Sequence, residues 1–202
     1  MGEQKSGKGK VVIISGPSGV GKSTICREAI KRLDNASLSV SVTTRPKAEA
    51  EVDGRDYWFI SRDEFQRRID DDMLLEYAEV FGHLYGTPKD KVDEALRSGK
   101  TIILEIDVQG AEQAKAIYPD AETIFILPPS VDALAERMNG RGREDAETAK
   151  KRLDKANNEI TTAERRYEHK VINDDLQQAV NEVVQIIDAA SHKHSSAFGD
   201  AG

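Results

Sequence analysis

The residues best suited to chemistry lie near the start of the chain, in the stretch Gly16-Pro17-Ser18-Gly19-Val20-Gly21-Lys22-Ser23-Thr24. Its spacing is G-x-x-x-x-G-K-[ST]. An apolar run, Val11 to Ile14, precedes it, and a helical pattern to Leu33 follows it. That strand–loop–helix order is the setting in which such a loop binds phosphate. Glycines let backbone N–H groups turn inward round phosphate oxygens, and the N-terminus of the helix adds positive potential. On this reading all nine residues contact a nucleoside triphosphate. Lys22 reaches its terminal phosphates and the Ser23 hydroxyl ligates Mg²⁺. The loop alone does not say which reaction follows.

Two further sets of side chains narrow it. Between residues 39 and 59 stand Ser41, Thr43, Thr44, Arg45, Lys47, Arg55 and Tyr57, and further on Glu76, Tyr85 and Thr87. Tyrosine hydroxyls beside an arginine make a clamp for a monophosphate. Guanine presents N1–H and its N2 amino group side by side, two donors that one carboxylate accepts together; adenine has no such pair. Glu76 or Asp107, with Ser41 or Thr87 donating to the guanine carbonyl, would therefore favour guanine. By pattern alone, however, Glu76 reads as an exposed carboxylate on a strand. The second set is Arg137, Arg141, Arg143 and Arg152, around Gly140 and Gly142. Such a stretch, leading into a long polar helix, suits a lid that closes over phosphates, although a charged turn in solvent has the same spelling. A phosphate loop, a charged insertion and an arginine-rich lid fit phosphoryl transfer to a second small molecule.

The elements that must hold these groups are legible. Strand-like runs at Val11–Ser15, Leu38–Thr43, Thr101–Ile106, Thr123–Leu127 and Lys170–Ile172 alternate with helical patterns at 23–33, 111–117, 131–138 and 176–190. The alternation predicts a parallel sheet with helices on both faces. Residues 41–98 break the rhythm with short strands (57–60 and 75–80) around a helix opened by the capping-box spelling Ser61-Arg-Asp-Glu64. They predict an inserted lobe facing the phosphate loop. The expected organisation is a leader (1–9), a core (10–40, 99–137 and 154–190), the lobe (41–98), the lid (138–153) and a disordered tail (191–202).

Composition sets the outer limits. The chain has 202 residues, 29 Lys and Arg against 36 Asp and Glu, and a net charge of −7. That balance argues against nucleic acid as a partner. The sole cysteine, Cys26, permits no intrachain disulfide and is expected in the core, consistent with a reducing, cytoplasmic setting. No stretch has the length or apolarity of a membrane span.

The chain resembles guanylate kinase from Val11 to about Ala190. The resemblance rests on an ordered set of motifs: GPSGVGKST, S-V-T-T-R, E-V-D-G-R-D-Y, G-H-L-Y-G-T, L-E-I-D-V-Q-G-A, P-P-S, G-R-G and V-I-N-D-D-L. It implies an α/β fold of the P-loop NTPase type, with a lobe that binds GMP (and dGMP) and an arginine-rich lid. It further implies phosphorylation of GMP by ATP with Mg²⁺. Carried onto this chain, it assigns Ser41, Glu76, Thr87 and Asp107 to the guanine base, and Arg45, Tyr57 and Tyr85 to the GMP phosphate. Lys22, Arg141 and Arg152, with Arg45, fall on the transferring phosphoryl group, Arg137 and Asn173 on the ATP side, and Ser23 on the metal. One departure stands out. The second arginine of the family's loop falls on Ala48, and the usual glycine on Ala50, while Lys47 is one place early. Two other functions fit the same motifs: a guanylate-kinase-like module that binds phosphorylated partners without catalysis, and a kinase of a different phosphorylated acceptor.

Overall fold

The computed structural model of the chain describes residues 9–139 and 146–196. Five strands, β1 (Lys10–Ser15), β2 (Ala36–Leu38), β7 (Thr101–Glu105), β8 (Glu122–Leu127) and β9 (His169–Ile172), form one sheet in the order β2-β7-β1-β8-β9. Every pairing in it is parallel. Helices α1 (Lys22–Ile30) and α7 (Leu176–Ser196) cover one face. Val12, Ile14, Ile25, Ile124, Val180 and Ile187 meet there with no more than 1% exposure, and Cys26 is buried among them. Helices α3 (Lys89–Arg97) and α4 (Val108–Ile117) cover the other face, against Ile13, Ile102, Leu104 and Phe125. Burial on both faces explains why β1, β7 and β8 are almost continuously apolar rather than alternating. The expected doubly covered parallel sheet is present.

The lobe is a second sheet, ordered β4-β3-β6-β5, from β3 (Val42–Thr43), β4 (Trp58–Phe59), β5 (Leu74–Val80) and β6 (His83–Pro88). Helix α2 (Arg62–Asp70) packs Phe65 against Val42 and Leu74 as its small core. The Glu64 N–H donates to Ser61 Oγ at 3.1 Å, so half of the expected capping box forms. The Glu64 carboxylate turns instead to Arg67 and Arg68.

The structure bears on four of the expected boundaries. Leu38–Thr43 is not one strand. The Ser39 N–H still bonds Ile103 O at 2.9 Å, then the chain leaves the core sheet and joins the lobe at Val42. Helix α3, which the expected boundary puts in the lobe (41–98), buries Val92 and Ala95 in the main core. Of the stretch expected as lid (138–153), residues 140–145 lie outside the described residues; α5 (Val131–Asn139) ends before them and α6 (Ala146–Arg166) begins after them. The stretch expected as a disordered tail from 191 remains helical to Ser196. Among the described residues, no helix is long and apolar enough to cross a membrane.

Candidate active site

The phosphate loop runs from the end of β1 to the start of α1. Gly21 is the N-cap of α1, with φ +103, and a Cβ there would stand 2.5 Å from Asn173 Nδ2. Only glycine combines that backbone with that approach. Among the described residues no side chain caps the helix, so its first-turn N–H groups remain available to an anion. Lys22 Nζ donates to Gly16 O at 2.5 Å and Pro17 O at 3.1 Å. Burial pushes its ammonium down from the usual lysine value, while Glu105, Glu159 and Asp107 oppose that shift. Ser23 Oγ donates to Glu105 Oε1 at 2.5 Å. Asn173 is buried and donates through Nδ2 to Val20 O at 2.7 Å, and Arg137 donates to Asn173 O at 3.0 Å. Of the residues expected on the ATP side, Asn173 therefore braces the loop directly and Arg137 holds Asn173 in place.

A cavity of about 190 Å³ opens beside the loop. Gly16, Ser18 and Lys22 form one wall, and Ser41, Tyr57, Glu76 and Tyr85 of the lobe another. Glu76 is 4% exposed, which overturns its reading as a surface carboxylate. A bulge between Leu74 and Glu76 sets it directly opposite Thr87, whose Oγ1 donates to Glu76 Oε1 at 2.6 Å. Burial raises the Glu76 carboxyl to about 7; the Thr87 bond opposes this and the nearby Asp107 charge adds to it. Gly110 makes room for the group, because a Cβ at that position would overlap Glu76 Oε2. Asp107 caps α4, its Oδ1 accepting from the Gly110 N–H at 2.9 Å, while its Oδ2 is buried without a hydrogen bond among the described residues. Glu76, Thr87 and Asp107 thus form one cluster at the base of the lobe.

Arg45 does not itself line the cavity; it lies behind the lining residue Tyr57, 5.4 Å from that ring's centroid and 5.6 Å from the centroid of Phe59. Tyr57 and Tyr85 meet edge to face at 5.9 Å. A two-pronged pair with Glu51, at 2.6 and 3.0 Å, fixes the guanidinium and holds it charged. The third Glu51 contact is the Ala48 N–H at 2.8 Å. Lys47 Nζ is committed to backbone carbonyls, Glu51 O at 2.9 Å and Ala48 O at 3.5 Å.

Arg141 lies outside the described residues, and Arg152 falls within α6 by its backbone. Sequence reasoning missed Glu51, although it belongs to the quoted E-V-D-G-R-D-Y motif, and it missed Glu105 as the partner of Ser23. It also missed Lys155 and Glu159, which reach the cavity from α6. Their i, i+4 spacing, with Ala156 buried between them, was the available signal.

The comparisons with known proteins agree with this geometry. Residues 8–190 match the family model described as Guanylate kinase. The chain is 45% identical over 185 residues to a guanylate kinase of Synechocystis sp., covering 92% of this chain and 96% of that protein. It is 48% identical over 178 residues to one from Gloeobacter violaceus, covering 88% and 86%. The crystal structure of guanylate kinase from Anaplasma phagocytophilum superposes with a TM-score of 0.78 at 31% identity, covering 92% of this chain and 88% of that one. With a family match that spans the phosphate loop, the lobe and the core alike, the chain belongs to the guanylate kinase family.

Proposed function

We propose that this protein transfers the terminal phosphoryl group of ATP to GMP, and to dGMP, giving ADP and the corresponding diphosphate. The observation that carries the reading is the single cavity lined by both Lys22 of the phosphate loop and Glu76 of the lobe. A triphosphate on the loop and a guanine on Glu76 bring donor and acceptor into one enclosure.

The chemistry follows from charge and position. Glu76, once ionised, accepts from guanine N1–H and N2–H together, with Ser41, Thr87 and Asp107 completing the base site. Arg45, Tyr57 and Tyr85 hold the monophosphate, and one of its oxygens attacks the γ-phosphorus as the bond to the ADP oxygen breaks. No side-chain nucleophile is needed, because alignment and charge neutralisation lower the barrier. Lys22, with Arg141 and Arg152 from the lid side, takes the charge that develops on the transferring group, and Arg137 and Asn173 support the ATP side. The Ser23 hydroxyl and the Glu105 carboxylate, 2.5 Å apart, are the hard oxygen donors that suit Mg²⁺. Ser23 and Glu105 are the residues that would hold the ion, which supplies charge neutralisation on the phosphates.

A coupled assay tests the reading, offering ATP with GMP, dGMP, AMP, CMP and UMP separately. GMP and dGMP support turnover and the other three do not. Equal turnover of AMP would overturn the assignment of Glu76 to a guanine edge. A module that only binds phosphorylated partners would turn over none of the five.

A further inference from the structure

Lys155 belongs to none of the sequence motifs, yet it lines the acceptor cavity from α6. Its Nζ stands 3.8 Å from Asp107 Oδ2 and 3.6 Å from Glu159 Oε1. The same ammonium lies 5.3 Å from the ring centroid of Phe81. Phe81 sits in the turn between β5 and β6 with φ +49, so a left-handed residue sets the direction of its ring. Lys155 therefore touches three parts of the chain far apart in sequence: the cap of α4, its own helix, and the tip of the lobe hairpin.

We propose that Lys155 is a positioning residue for the acceptor nucleotide, neutralising Asp107 beneath the base and tying the β5–β6 hairpin of the lobe to α6. The inference rests on the assignment of GMP to this cavity.

The charge distribution supports it. Glu76, Glu105, Asp107 and Glu159 face the cavity against two lysines, Lys22 and Lys155. A nucleoside monophosphate brings more negative charge to the same space. Asp107 Oδ2 has no hydrogen bond among the described residues, and Lys155 ion-pairs with it. Side-chain exposures of 32% for Lys155 and 21% for Asp107 leave the pair partly shielded from solvent. Asp107 in turn hinders ionisation of Glu76, the state that accepts both guanine donors. Removing the Lys155 charge thus weakens the base site through Asp107. It also removes the cation–π contact that steadies the hairpin. Tyr57 shares the cavity, and burial pushes its phenol up from the usual tyrosine value, so it adds no charge there.

Steady-state kinetics of the full chain decide the matter, with GMP varied at saturating ATP and ATP varied at saturating GMP. Lys155→Met keeps most of the aliphatic stem and loses the charge. It is expected to raise KM for GMP about fivefold, the effect of a partly buried ion pair and a cation–π contact. KM for ATP and kcat stay within twofold of the parent. Lys155→Arg restores KM for GMP, and the acid-side fall of kcat/KM for GMP moves to higher pH in the Met variant. The inference is overturned if KM for GMP stays within twofold in Lys155→Met, if KM for ATP rises equally, or if Lys155→Arg is as impaired as Met. A parent protein that turns over no GMP would remove the assignment on which the inference rests, and the inference with it.

Discussion

Glu76 and Gly110 fit together as a carboxylate and a missing side chain: Oε2 of the first occupies the space a Cβ on the second would need. Gly110 is in the first turn of α4, at a helical position that alanine would otherwise favour. The glycine is therefore there for approach and not for backbone freedom. In Gly110→Ala the helix persists, since the atom in the way is the end of a side chain, and Glu76 must swing out of its bond with Thr87. GMP affinity is expected to fall by one to two decades, about the 1.5–3 kcal/mol of a charged hydrogen-bonding group. Affinity for ATP stays near the parent value. Titration calorimetry with each nucleotide separately measures both, and unchanged GMP binding would show that Glu76 does not hold the base.

Glu76 also ties stability to pH in an unusual direction. Its carboxyl is raised from 4.5 to about 7 by burial. Below 4.5 the group is neutral in the folded and unfolded chains alike, and its burial carries no penalty of charge. Between 4.5 and about 7 the unfolded chain loses the proton first, so this group's contribution to stability falls as pH rises. Glu76→Gln removes that titration. The variant should gain stability relative to the parent from pH 5 to pH 8, by on the order of 3 kcal/mol at most, while binding GMP more weakly. Urea unfolding at the two pH values reads the difference. GMP binding at pH 6 should release protons from the parent and none from the variant at this group, which calorimetry in buffers of different ionisation enthalpy detects.

Much of the core was legible because its chemistry is local. The loop sequence and its flanking patterns located β1 and α1 to within three residues at either end, and three buried strands read as apolar runs. Other features depend on partners distant in the chain. His83–Pro88 contains Gly86, Thr87 and Pro88, which spell a turn; it is a strand because β3 and β5 pair with it on both sides. Leu38 and Val42 look alike in sequence but serve different sheets, and only the bond from Ser39 to Ile103 marks where the first ends. Burial of Glu76 follows from a bulge and from Gly110, 34 positions along, neither of which alternation reveals. The arginine–carboxylate pair of Arg45 and Glu51 spans six residues in an irregular loop, where no helix or strand periodicity applies.

Gly21 offers a test of the ATP side. Its left-handed φ and its contact with Asn173 leave no room for a side chain. Gly21→Ala should lower turnover by at least two decades at saturating GMP, because the loop must unwind from the start of α1. GMP binding measured without ATP should stay within threefold, since Gly21 is not part of the acceptor wall. Loss of both together would mean that the substitution disturbs the whole fold, a possibility that the far-ultraviolet circular dichroism spectrum and melting temperature address directly.

The altered arginine loop yields the last prediction. Lys47 is positioned one residue before Ala48, where the family's second arginine falls; on an extended segment it would point to the opposite side, and only an irregular loop would let it stand in. Its ammonium is instead spent on the loop's own carbonyls, Glu51 O and Ala48 O. Lys47→Ala should therefore change KM for GMP by less than twofold. Glu51 is the more consequential residue, since one carboxylate orients Arg45 and closes the loop through the Ala48 N–H. Glu51→Gln keeps the size and one acceptor but loses the charge that fixes the guanidinium. KM for GMP should then rise about fivefold, the effect of roughly 1 kcal/mol from one charge-assisted contact. Ala48→Arg tests the opposite direction. A second fork beside Arg45 should lower KM for GMP by a similar factor, provided Glu51 stays paired with Arg45. Should the new arginine take Glu51 for itself, Arg45 loses its orienting partner and KM rises as in Glu51→Gln. Kinetics of the double variant Ala48→Arg with Glu51→Gln separate these outcomes: competition for Glu51 leaves the double variant equal to Glu51→Gln alone, whereas a direct phosphate contact makes it better.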